Sequence, residues 1–238
     1  MAVRVNFQDV VDKYAVALQV PRLLFDLWPS PRPVGRPGRK YSALPAATTL
    51  AVIGAFEGFA EDLLAGALVE QGRSWAHVAK NADLTNPSLA TLVEKLGYAA
   101  GISSAPATTW TITLPRQTAA TAWADRATSW AEVLERSAGW VQVRHCLAHG
   151  LVTGLGPEVW PAPVSARPLA NQGNLPSAND PNVLATIRGF PDKRALYFWP
   201  AVAAARIYSI GAGVVATEVA RAFGETVDVT GLDLFSTV

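Results

Sequence analysis

Residues 118–150 read TAATAWADRATSWAEVLERSAGWVQVRHCLAHG. Within them Trp123, Ala127, Trp130, Leu134, Ser137, Val141, Arg144 and Ala148 recur in steps that alternate between four and three. Such steps keep one side of an α-helix facing a neighbour, as in a bundle seam. They predict a long helix over 118–149, stopped by Gly150. The seam ends unusually, because an arginine occupies one of its positions and a histidine lies five residues further on.

Working outward, a second helix is predicted over 46–71. Val52, Ile53, Phe56, Phe59, Leu63, Leu64, Ala67 and Leu68 trace its buried stripe, and Gly72 stops it. Gly54 and Gly58 lie one turn apart, where a neighbouring helix could approach closely. A third helix is predicted over 200–223, with Pro200 in its first turn and Val202, Ile207, Ile210, Val214, Thr217 and Phe223 facing inward. The segment 7–28 has Val10, Val11, Tyr14, Leu18, Leu24 and Leu27 at helical spacing, with a kink or break expected at Pro21. Shorter helices are expected over 74–80, capped by Ser74, and after Asn86-Pro87-Ser88, ending near Gly97.

Residues 108–114 alternate and are rich in Thr, Trp and Ile, as a strand or an extended arm would be. A strand needs a partner, and 159–164 and 195–198 are the candidates. Residues 154–193 hold many Pro, Gly and Asn and form a long irregular excursion. The tail after Gly224 reads as an arm that packs on a partner. The class is therefore mainly α: four long helices in a bundle, with irregular insertions and room for a short β-hairpin.

The chain has 238 residues, 50% hydrophobic and 16% charged. That suffices for one folded domain over 1–238 and excludes a disordered chain. The net charge is +1, but Arg32, Arg36, Arg39 and Lys40 lie together in a Pro- and Gly-rich segment at 29–41 without an acid. Without those four the charge falls from +1 to −3, so a local basic arm sits on a slightly acidic body. Such an arm can touch polyanions, although no global basic field exists. The lone cysteine, Cys146, permits no internal disulfide and fits a reducing cytoplasm. Residues 1–13 contain Asp9 and Asp12 and lack the apolar run of a signal peptide. The most apolar stretch, 195–216, includes Pro200 and Arg206 and reads as a buried helix rather than a membrane span.

Arg144 has two explanations. Burying an arginine costs several kcal/mol unless it is paired. Either a carboxylate meets it, with Glu57 and Glu61 on the 46–71 helix as the candidates, or it serves an anion. A guanidinium holds phosphate through two parallel N–H donors, and histidine moves protons near neutral pH. His149 lies about 140° around the helix from Arg144, so the two could line a cleft between two antiparallel copies. A histidine at a helix C-terminus is also explained by the dipole alone. His145 and His149, one turn apart, suit a metal, but the only other histidine is His77 and no HExxH or CxxC is present. No metal or other cofactor is expected. Cys146 reads as a small buried hydrophobe. Gly35-Arg36-Pro37-Gly38 lacks the Lys-Ser/Thr of a phosphate loop, and there is no Gly-x-Ser-x-Gly elbow. Trp28, Trp110 and Trp160 fall in predicted loops, where they could stack on bases.

The run Arg144-His145-Cys146-Leu147-Ala148-His149-Gly150 resembles the Arg-polar-x-x-x-His motif of the HEPN superfamily. Ala55-Phe56-Glu57-Gly58-Phe59-Ala60-Glu61-Asp62-Leu63-Leu64 is similar to the Phe-Glu-x-x-x-Glu-Asp-Leu stretch of the RiboL-PSP-HEPN group. The resemblance covers about half the chain. It implies a four-to-five-helix bundle and a homodimer in which two Arg/His motifs face one cleft. It further implies a metal-independent endoribonuclease that uses the RNA 2′-OH and leaves a 2′,3′-cyclic phosphate. Such proteins are commonly toxins with a neutralising antitoxin protein, or phage-defence effectors. Other members are catalytically silent and bind RNA or a partner protein. On this reading Arg144, His149 and His145 are catalytic, and Glu57 and Glu61 support them. His145 stands where the family more often has Asn or Asp.

Overall fold

The computed structural model describes residues 4–28, 41, 43–119, 122–149 and 198–235. Arg32, Arg36, Arg39, Lys40, Trp160 and the excursion at 154–193 lie outside the described residues, as does the candidate strand at 159–164. The elements are α1 (Phe7–Ala17), α2 (Gln19–Asp26), α3 (Leu44–Glu70), α4 (Trp75–Ala82), α5 (Leu89–Ala100), β1 (Thr111–Ala119), β2 (Ala122–Ser129), α6 (Trp130–His149) and α7 (Phe198–Ala222).

The mainly helical architecture is built on α3 and α7, which pack along each other. All eight residues of the α3 stripe are buried. Its Phe56 ring lies 4.9 Å from that of Tyr208 on α7, and Phe59 stacks on Tyr14 of α1 at 4.6 Å. Helix α7 is apolar on nearly every side, so it must be covered on every side. By length and composition it could cross a membrane, yet 83% of its apolar window is buried in the protein. Of its predicted inward face Val202 and Ile207 are buried, Ile210, Val214 and Phe223 are half-buried, and Thr217 is exposed. Close helix approach occurs at Gly211 rather than at Gly54 and Gly58. A Cβ on Gly211 would fall 2.5 Å from Leu89 Cδ1, whereas Gly54 and Gly58 face open space.

The N-terminal segment breaks at Leu18, three residues before Pro21. Pro21 has no N–H for the Ala17 carbonyl, and its ring crowds that oxygen. The small capped helices form as expected. Ser74 accepts from His77 N–H and Ser88 from Thr91 N–H. Helix α5 continues past Gly97 to Gly101, whose φ of +64° is the left-handed stop.

The largest difference from the sequence reading concerns residues 118–119 and 122–129. They are not the first turns of a helix. They close a β-hairpin, in which Thr111 pairs with Ser129 and Leu114 with Arg126, antiparallel. The strand expected over 108–114 forms from Thr111 onward and finds its partner immediately after itself, and Phe198, at the end of the other candidate, is helical. Trp123 and Thr128 are residue types that suit a strand, and the spacing of Trp123 and Ala127 matched the helical seam by coincidence. Ile112, Leu114 and Thr128 are the buried side of this ribbon.

The C-terminal tail packs on its own chain. Leu232 and Phe235 are buried, the Phe235 carbonyl accepts from Arg206 Nε at 2.9 Å, and the Arg22 guanidinium donates to the Leu234 carbonyl. The two described loop tryptophans are occupied too. Trp28 is buried edge-on against Phe198 at 4.6 Å, and Trp110 meets Trp130 edge-on at 5.3 Å.

Candidate active site

Glu57 follows the fully buried Phe56 on α3, so its carboxylate emerges at the border of the core. Arg144 reaches the same border from α6. Arg144 Nη2 donates to Glu57 Oε2 at 2.9 Å, and each side chain keeps 24% of its surface exposed. The position of Arg144 follows from how α6 is turned. Its buried line is Val133, Ser137, Trp140 and Val143, with Trp130, Leu134 and Val141 only half-buried and Ala148 exposed. The seam is rotated from the predicted one by less than the roughly 100° step of one residue. Arg144 therefore sits at the margin of the interface rather than in its centre.

Tyr208 lies behind the pair. Its hydroxyl donates to the Ser137 carbonyl at 2.7 Å, which ties α7 to α6 two turns before Arg144. Ser137 Oγ donates to the Leu134 carbonyl at 2.6 Å and accepts from Ala90 N–H of α5 at 3.4 Å. Burial pushes the Tyr208 hydroxyl far above its ordinary range. The Glu57 charge adds to that rise and Arg144 opposes it. Tyr208 is thus a neutral donor that fixes the helices under the ion pair.

Of the two carboxylates that the sequence offers Arg144, Glu57 is the one that meets it. Glu61 instead accepts from Leu84 N–H at 3.3 Å and secures the chain after α4. His77 occupies the first turn of α4, with its backbone N–H on Ser74 Oγ. The backbones of His145, Cys146 and His149 lie in the last described turns of α6, and Gly150, the expected stop, lies outside the described residues. Their side chains lie outside what the structure describes.

A guanidinium carries five N–H donors in a planar fork. The carboxylate of Glu57 engages one Nη and sets the plane of the group, and part of the side chain stays exposed. That arrangement is suited to an anion with several oxygens.

Two residues with a structural role went unnoticed in the sequence. Tyr208 carried no signal beyond its place on an apolar helix. Arg206 did carry one, an arginine inside the most apolar stretch. It is only 4% exposed, and its Nη1 donates to the Thr113 carbonyl at 3.2 Å and to Asp125 Oδ1 at 3.3 Å. Comparison with known proteins finds no matching family model, no matching curated protein and no matching solved structure.

Proposed function

We propose that the chain is a metal-independent endoribonuclease of HEPN type, acting in the cytoplasm as a toxin or phage-defence effector. The observation that carries this reading is the Arg144–Glu57 pair at 2.9 Å on the helix that ends at His149. An arginine is placed and oriented five residues before a histidine on the same helix.

RNA brings its own nucleophile, the 2′-OH. A histidine, His149, accepts that proton while O2′ attacks the adjacent phosphorus. The P–O5′ bond breaks and the leaving oxygen takes a proton from the second histidine, His145. General acid–base help of this kind is worth roughly 10²–10⁴-fold. Arg144 balances the charge that builds on the non-bridging oxygens, with Glu57 as its positioning residue. The products are a 2′,3′-cyclic phosphate and a 5′-OH. The basic segment with Arg32, Arg36, Arg39 and Lys40 would hold the RNA backbone. Two copies would bring their Arg/His motifs to one cleft, and an antitoxin protein would cover it.

The test is cleavage of mixed cellular RNA in EDTA by wild type and His149→Ala, with the new ends assayed for cyclic phosphate. Cleavage by wild type alone is expected, and equal cleavage by both proteins defeats the mechanism. The second reading, a catalytically silent HEPN module that binds RNA or a partner protein, is favoured by the neutralisation of Arg144 by Glu57. It predicts RNA retained without cleavage by wild type and variant alike.

A further inference from the structure

Four large apolar side chains stand in solvent on one face of the N-terminal helices: Val16 (71% exposed), Val20 (60%), Leu23 (63%) and Leu27 (61%). Their spacing is four, three, four. At 3.6 residues per turn they fall within an arc of roughly 60°. The break at Leu18 does not interrupt this strip. Leu18 keeps helical dihedrals, and the bonds Leu18 N–H to Tyr14 carbonyl (2.9 Å) and Arg22 N–H to Leu18 carbonyl (3.1 Å) carry the register across. The opposite face, with Phe7, Val11, Tyr14, Leu18 and Phe25, is already buried. The helix pair is therefore apolar on two faces and uses one of them within the chain. Scattered exposed apolar residues are ordinary, but a continuous strip marks a contact surface.

We propose that this strip pairs two copies of the chain, helix against helix, about a two-fold axis between Val20 and Leu23. A contact about a two-fold axis must be self-complementary, and a four–three–four spacing reads the same in both directions. Antiparallel pairing sets Val20 against Leu23 of the second copy and Val16 against Leu27. The four side chains cover about 16 Å of helix and offer apolar surface on the order of 400 Å², at the level where an exposed patch is commonly functional. With its rim, the strip supplies the apolar centre of an interface approaching the ~800 Å² per partner of a standard one. The charges beside it agree. Gln19 and Asp26 lie on one flank, where antiparallel pairing brings amide to carboxylate. The cations on the flanks enter already neutralised, Arg22 by Asp26 and Lys13 by Asp62, both at 3.3 Å.

This contact is separate from the end of α6, and its test reads mass rather than cleavage, so it stands or falls independently of the ribonuclease reading. Leu23→Glu, at an exposed position, is expected to leave the helical signal unchanged, with melting lowered only by what the lost pairing contributed. It should halve the mass seen by sedimentation in the micromolar range, from two chains to one, or from four to two if copies also pair at α6. Mixing Val20→Cys and Leu23→Cys chains under oxidation should yield a 20–23 cross-link between copies, more than either variant forms alone. A wild type no heavier than Leu23→Glu overturns the proposal and leaves the strip to a helix of another protein. A mixed sample without the 20–23 link overturns it as well.

Discussion

Arg144 on α6 and Glu57 on α3, 87 residues apart in the chain, are joined Nη2 to Oε2 at 2.9 Å. The pair is neither on the open surface, where such contacts are worth about 0.2–1 kcal/mol, nor fully enclosed, where breaking one costs about 3–5 kcal/mol. Glu57→Gln and Arg144→Met are each expected to lower stability by about 1–3 kcal/mol, with a coupling of about 1 kcal/mol in the double variant. Urea midpoints measure both. RNA cleavage separates the roles of the pair. If Arg144 acts on phosphate, Arg144→Ala should lose cleavage by orders of magnitude while most of the protein remains folded. Cleavage that merely tracks the folded fraction would assign the pair to stability alone.

Behind that pair, burial raises the pKa of Tyr208 and also that of Tyr14, whose rise is reinforced by Tyr208. In the unfolded chain both hydroxyls ionise near pH 10. The sign is fixed by linkage. Below pH 10 both states hold their protons and stability is complete. Above it the unfolded chain releases protons that the folded chain keeps, and stability falls by about 1.4 kcal/mol per pH unit for each tyrosine. Urea midpoints between pH 8 and pH 11 should therefore drop steeply above pH 10. Tyr208→Phe should be less stable at pH 8, because the Ser137 carbonyl loses its donor, and should show about half the alkaline slope. An unchanged slope would mean that Tyr208 ionises freely in the folded protein.

What the sequence disclosed followed from where one signal dominated. The α3 stripe could be read residue by residue, because a helix with one buried face leaves a single periodic trace. Ser74 and Gly72 were legible as caps because their chemistry is local. The pairing of Arg144 with Glu57 was legible because a charge on an apolar seam demands a partner and few carboxylates were on offer. Residues 118–119 and 122–129 were misread because a β-ribbon with two well-spaced apolar residues mimics a helical seam over two turns. That error also hid Asp125, and with it the reason Arg206 can be buried. The tail after Gly224 was misread for a related reason. Leu232 and Phe235 are too few for a periodicity, and only the tertiary fold reveals what they cover. Glu61 illustrates the limit at the site itself, since nothing in its spacing separates an arginine partner from an acceptor for Leu84 N–H.

Gly211 tests the packing of α5 on α7. An alanine Cβ there would fall 2.5 Å from Leu89 Cδ1, and Leu89 is fully buried. Gly211→Ala is expected to cost about 1–3 kcal/mol through overpacking, despite the ~1 kcal/mol by which alanine is the better helix former. With Leu89→Ala present the clash disappears, and Gly211→Ala should become neutral or stabilising. Equal effects in both backgrounds would show that Leu89 is not what excludes the side chain.

Arg206 holds three segments that are far apart in sequence. Its Nε serves the Phe235 carbonyl of the tail, and its Nη1 serves the Thr113 carbonyl of β1 and Asp125 of β2. Arg206→Met keeps much of the volume but leaves two carbonyls without this donor in a buried setting, so a loss of about 3–5 kcal/mol is expected. Asp125→Asn should cost under about 1 kcal/mol, because that side chain is 52% exposed and water replaces the lost charge interaction. The two variants also differ in where the damage lies. Amide exchange in Arg206→Met should quicken first in residues 111–129 and 225–235, with the α3 core still protected. If exchange instead rises uniformly, the arginine is a general element of the core and not the clasp that holds hairpin and tail to α7.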